Sequence, residues 1–212
     1  NKTVLIENCT FIQNGDIVVK DWARLLTRYS QIISNQSYRL QYVFLIEDNA
    51  TLDIQNVTIT SNIGYFDLRV MGTGTANITN SIYLDGPIAG FENSTLNVTQ
   101  SIVSEICAWD DSRITISGSY VVGLMDLYFG AQSIGKVNGL KPGFYDFWSV
   151  RENKTVQGIV RPGYELTIEN SQVDHWSVGV DFNANLTIEN SIIERFGIVT
   201  YDAILILSNI CL

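Results

Sequence analysis

The sequence predicts an all-β fold in which short parallel strands stack in successive coils, and three observations carry that expectation. The first is a repeated word: "ELTIENSQV" at residues 165–173 returns as "NLTIENSII" at residues 185–193, in the same phase. The second is alternation, as in Leu186, Thr187, Ile188 and Glu189, where apolar and polar residues follow each other with the period of two of a half-buried strand. The third is composition: 46% hydrophobic and 17% charged residues in 212 describe a chain able to bury one sizeable core, not a disordered one.

Degenerate copies of the same word run along the chain as "VLIENCTF" from Val4, "LDIQNVTI" from Leu52, "ANITNSIY" from Ala76, "LNVTQSIV" from Leu96, "ITISGSYV" from Ile114 and "ILILSNIC" from Ile204. Their third positions are Ile6, Ile54, Ile78, Val98, Ile116, Ile168, Ile188 and Ile206. A strand, a polar corner and a second strand cannot bury an apolar face alone. Stacking successive units in parallel buries it, because each unit covers the next.

This L-x-I-x-N-S-x-I unit resembles the coil of right-handed parallel β-helix proteins, the pectate-lyase-like superfamily, over eight recognisable copies. The resemblance implies about ten coils in a single domain over residues 1–212. It also implies an inward ladder of corner asparagines, Asn8, Asn56, Asn80, Asn170 and Asn190, interrupted at Gln100, Gly118 and Ser208. Two segments leave the period. Residues 21–33, "DWARLLTRYSQII", carry Trp22, Leu25, Leu26, Tyr29 and Ile32 at helical spacing behind a potential N-cap, Asp21, and predict an amphipathic helix. Residues 126–163 gather aromatic residues, glycines, Pro142 and Pro162, and predict a long excursion from the wall.

Net charge is −9 with only five lysines and no basic run, which argues against nucleic acid as a partner. No apolar run approaches the roughly 20 residues of a membrane-spanning helix. The sequence has no initiator Met or signal peptide at its start, and the expectation is that it belongs to a longer chain or an assembly, with other copies or surface proteins contacting open ends of the stack. Ten of the 18 asparagines begin an Asn-x-Ser/Thr triplet, nine of them with Thr, which points to N-linked glycan and an extracellular, cell-surface or virion-surface location. Asn1, Asn35, Asn49, Asn77, Asn93, Asn97, Asn153 and Asn185 are the expected acceptors; Asn8 and Asn56 are expected to be bare because they fall on the inward ladder. Cys9, Cys107 and Cys211 are too widely spaced to define a disulfide framework.

Chemistry is sparsely written. Two carboxylate pairs stand out for general acid–base work on a sugar bond: Asp110 and Asp111 beside Trp109, and Asp174 with Glu194 in corresponding places of the two clean copies. The Gly-His-Gly and Arg-Ile-Lys segments of polygalacturonase-like enzymes are missing. One histidine and scattered cysteines give no metal-ligand spacing, no phosphate-cradling glycine motif occurs, and no cofactor is expected. The composition resembles archaeal surface-layer glycoproteins and virion spikes. The favoured expectation is a non-enzymatic structural or adhesive module, with carbohydrate as an additional partner; the alternative is a polysaccharide lyase or glycoside hydrolase.

Overall fold

A computed structural model describes residues 2–121 continuously and, beyond them, residues 127–129, 134–138, 144–146, 158–160, 165–169, 172–173, 175–180, 185–193, 196–200 and 204–210. The chain is an all-β parallel solenoid. Its first wall is a sheet of ten strands in chain order, beginning Thr3–Glu7, Arg24–Arg28, Thr51–Gln55, Thr75–Thr79, Thr95–Thr99 and Arg113–Ser117 and continuing to Ile204–Ser208. A second sheet forms the opposing wall from the strands that follow each corner. Residues 2–121 trace six turns, against the ten expected; four more first-wall strands lie beyond them.

Register follows the repeat. Ile6, Thr27, Ile54, Ile78, Val98 and Ile116 occupy one column, and Ile168 pairs with Ile188. Ile54, Ile78, Val98, Ile116 and Ile188 are 1% exposed or less. The second wall faces them with its own inward columns, Ile32, Ile59, Tyr83 and Val103 in one and Phe44, Leu68, Ile88 and Ile106 in another, all buried. In the last copy the column is filled by Leu207, not Ile206, which pairs with Thr187.

The helix expected over residues 21–33 is not there. The segment forms two strands, Arg24–Arg28 and Gln31–Ser34, inserted between neighbours on both sides. Leu25, Thr27, Ile32 and Ser34 point inward and are buried, whereas Trp22 and Tyr29, which gave the segment its helical spacing, are 64% and 57% exposed. Ladder pairing with two adjacent coils outweighs the weak preference of an isolated amphipathic pattern. Within residues 126–163, strands Leu127–Phe129, Ile134–Asn138, Phe144–Asp146 and Gly158–Val160 join the two walls.

The corner explains the repeated word. Asn8, Asn56, Asn80 and Asn190 have φ between 48° and 54°, and Tyr29, Gln100, Gly118 and Asn209 share the left-handed conformation. Asparagine tolerates that conformation because its short polar side chain hydrogen-bonds locally. A left-handed residue breaks the pleat, so the residue after it, not the asparagine, turns inward. Asn8, Asn80 and Asn190 are exposed and Asn56 half-buried, so the expected inward asparagine ladder is absent among the described residues; Asn170 lies outside them.

Serine occupies the inward column. Ser30, Ser81, Ser101, Ser119 and Ser191 are buried, with Val57 at the remaining place between Ser30 and Ser81. Ser81 Oγ accepts the Val57 N–H at 3.0 Å, Ser101 Oγ accepts the Ser81 N–H at 3.1 Å, and Ser119 Oγ accepts the Ser101 N–H at 3.1 Å. Each hydroxyl donates to the carbonyl two residues back: Ser30 to Arg28, Ser81 to Thr79, Ser101 to Thr99, Ser119 to Ser117 and Ser191 to Glu189. The ladder thus satisfies buried backbone groups that the corner takes out of the sheets.

Candidate functional site

Three surface columns carry the residues singled out in the sequence. The first lies at the corner entering the first wall, where Asp21, Asp48, Gly72, Glu92 and Asp110 share a left-handed conformation. Asp48 accepts the Asp21 N–H at 3.3 Å, Glu92 accepts the Gly72 N–H at 2.8 Å, and Asp110 accepts the Glu92 N–H at 3.2 Å. Asp110 therefore ties one coil to the next, and Asp111 is an exposed neighbour in the same turn. Asp174 and Glu194 lie outside the described residues.

The second column runs along the outward face of the first wall. Arg24 grips Asp53 through Nε and Nη2, both at 2.6 Å; Asn77 Nδ2 donates to Asp53 at 2.7 Å; and Asn97 Nδ2 donates to Asn77 at 2.9 Å. This chain borders a shallow depression of about 260 Å³ that Arg28, Gln55 and Thr79 also line. Asn77 and Asn97, two expected glycan acceptors, are thus half-buried rungs with engaged amides. Asn35, another acceptor, lies in a third column, where Asn35 Nδ2 donates to Asn14 at 2.8 Å and Asn62 Nδ2 to Asn35 at 3.3 Å. An amide ladder does exist, then, at a corner where the sequence repeat gave no sign of one.

Asn49 and Asn93 are exposed turn residues, and the Asn49 side chain accepts the Thr73 hydroxyl at 2.8 Å. Asn185 opens the strand Asn185–Glu189. Asn1 and Asn153 lie outside the described residues.

Sequence reasoning missed a cluster on the outer face of the second wall. Strand Asp67–Val70 and strand Ile102–Ala108 flank the end of strand Ile82–Gly90, so Pro87 and Ala89 lie between Asp67 and Arg69 on one side and Glu105 and Cys107 on the other. Asp67 is buried and held by Arg69, whose Nε donates at 2.7 Å. Glu105 is 7% exposed, and its Oε2 has no hydrogen-bond partner. Burial first, and then the Asp67 carboxylate, raise the Glu105 pKa above its ordinary value. Burial, Glu105 and Asp67 push the Cys107 thiol up to about 12. Burial raises the Tyr65 hydroxyl too, with Glu105, Cys107 and Asp67 adding and Arg39 opposing.

A thiol so shifted is no nucleophile near neutrality. Trp109 stacks on Phe91 with ring planes 2° apart and centroids 6.5 Å apart, and the two rings pack against Ala89 and Cys107. The one hint in the sequence was a glutamate inside the otherwise apolar run "IVSEICA".

No protein-family model matches the chain, and no curated protein matches it. Among the described residues, no group of three or more His, Cys, Asp or Glu is placed to hold a metal ion, and no helix is long and apolar enough to cross a membrane.

Proposed function

We propose that the chain is a structural or adhesive module of a cell or virion surface, built as a right-handed β-helix of the pectate-lyase-like kind and carrying N-linked glycan. One observation supports this reading above the others: among the described residues, three columns of polar side chains are committed along the axis, rung to rung. The serine ladder, the Arg24–Asp53–Asn77–Asn97 chain and the Asn14–Asn35–Asn62 column all connect coil to coil. Such a body is a stiff wall that displays groups at regular heights. The sequon density supports an extracellular setting. Exposed Val4 and Leu5 on strand Thr3–Glu7 and Ile204, Ile206 and Leu207 on strand Ile204–Ser208 are apolar surface that a further coil, another copy or a surface protein can cover.

A polysaccharide-active enzyme is the second reading, and it draws on Asp67 and Glu105, not on Asp110 and Asp111. An ion-paired aspartate and, two strands away, a glutamate whose pKa burial raises have the chemical character of a base and an acid. Their burial counts against access by a polymer.

The intact mass of the native protein, with a reducing-end assay on soluble polysaccharides, tests both. Glycan mass without turnover is the expected result. Polysaccharide cleavage that Glu105→Gln abolishes would overturn the structural reading.

A further inference from the structure

We infer that Asn8 and Asn56, the two sequons on the exit corner, are glycan acceptors, and that the Tyr29 ring between them packs against the attached sugar. The inference rests on the surface-glycoprotein reading and sharpens it to named amides. The asparagine of a sequon needs an accessible amide nitrogen and a hydroxyl two residues on. Thr10 and Thr58 supply the hydroxyls. The left-handed corner places Asn8, at φ 52°, in an exposed position and Asn56, at φ 54°, in a half-buried one, with Val57, the residue after Asn56, taking the inward place.

Both asparagines use their backbone N–H in the stack, Asn8 to the Arg28 carbonyl at 3.2 Å and Asn56 to the Thr79 carbonyl at 3.1 Å. Neither side chain is engaged in a hydrogen bond, in contrast to the amides of Asn35, Asn77 and Asn97. In the transfer, Nδ2 attacks the anomeric carbon of a phosphate-activated sugar donor. The N–C bond forms as the C–O bond to phosphate breaks, and Nδ2 gives up one of its two protons.

Tyr29 is the second observation. It occupies the rung between the two asparagines, its N–H bonded to the Gln55 carbonyl at 3.1 Å. Its φ is 47°, a left-handed conformation that is strained for a bulky L-residue, and the residue is 57% exposed. Most other corners in this column use Asn, Gln or Gly. Packing within the protein does not explain an exposed aromatic ring at a strained corner. Rungs lie about 4.8 Å apart, so Asn8 and Asn56 are separated by about two rungs, with the ring in the gap. A pyranose on either asparagine presents its C–H face to that ring, as sugars do to aromatic surfaces. Asn77 and Asn97, by contrast, stand on consecutive rungs, where two sugars compete for one rung of space.

Peptide-resolved mass spectrometry of the native protein decides the acceptors. Glycan is expected on the peptides containing Asn8 and Asn56, and Thr10→Val and Thr58→Val each remove it from the matching site alone. Glycan on other sequons with both of these bare overturns this inference and leaves the surface reading standing. Absence of glycan throughout overturns the surface reading and this inference with it. For the ring, Tyr29→Ala is compared in glycosylated and enzymatically stripped protein. A larger fall in Tm in the glycosylated form is expected, and an equal fall in both overturns the packing role.

Discussion

The Ser101 hydroxyl accepts the backbone N–H of Ser81 at 3.1 Å and donates to the carbonyl of Thr99 at 2.8 Å, which makes a single buried oxygen a link between two coils. Replacing Ser101 by Ala leaves the Ser81 N–H buried without a partner, at a cost of about 1–3 kcal/mol. Asn80→Gly, at the residue before Ser81 on the neighbouring coil, changes stability by no more than about 0.5 kcal/mol, because glycine accepts the left-handed conformation and the side chain is exposed. Urea unfolding of the two variants tests the assignment of serine, and not asparagine, as the inward rung.

That assignment also shows where the sequence was legible. Period, strand phase and the Ile54–Ile78–Val98–Ile116 column followed from the repeat, because apolar alternation reports directly on burial. The face of the corner residues did not. Counting by twos from Ile54 places Asn56 inward, but the left-handed turn at Asn56 interrupts the pleat and delivers Val57 to the core. The coil at Arg24–Arg28 was hidden for a different reason: Thr27 and Tyr29 stand where other copies have an aliphatic residue and Asn, so the repeat signature lapses while the pairing persists. Glu105 gave almost no signal, since a carboxylate on a strand reads as solvent-facing until the neighbouring coils cover it.

Tyr29 gives the second prediction. In protein free of glycan, Tyr29→Asn relieves the left-handed strain and raises stability by about 1 kcal/mol. Thermal unfolding of bacterially produced protein measures it. An unchanged or lowered stability would show that the ring has a partner that offsets the strain.

Glu105 sets the third, through pH. Its carboxyl is held above the ordinary value near 4.5, so the folded chain keeps this proton after the unfolded chain has lost it. The contribution of Glu105 to stability is therefore most favourable below the unfolded value and declines as pH rises through the folded one. Glu105→Gln removes that decline: the variant gains on wild type between acidic and neutral pH. Denaturation midpoints measured from pH 4 to pH 8 should diverge in that direction.

Gly86 provides the fourth. Its φ is 146°, and a Cβ there would collide with the Phe66 carbonyl oxygen and meet the Phe66 nitrogen at 2.8 Å. Both contacts are backbone and have no freedom to yield. Gly86→Ala is expected to destabilise the fold by about 3 kcal/mol or to prevent folding, with Gly15→Ala, which meets nothing within 4 Å, as the silent control.

Thiol reactivity supplies the fifth. Cys9 is exposed, whereas Cys107 is buried with its thiol pushed up to about 12. Iodoacetamide at pH 8 should alkylate Cys9 in the folded protein and reach Cys107 only after denaturant is added; peptide mapping reads both sites.

Because the strands from Thr75 and Thr95 pair residue for residue, one full circuit of the chain is an interchangeable part. Excising residues 75–94 would join Gly74 to Thr95 and set Thr51 opposite Thr95 with every column still in phase. A register slip of one residue within a strand would turn that strand inside out, whereas the turns between strands already absorb differences in circuit length, as the spacings from Thr3 to Arg24, Thr51, Thr75 and Thr95 show. Viable length variants of this protein should therefore differ by whole circuits or by residues taken up in the turns, so the genetic history of the rod's strands is quantised by its cross-section.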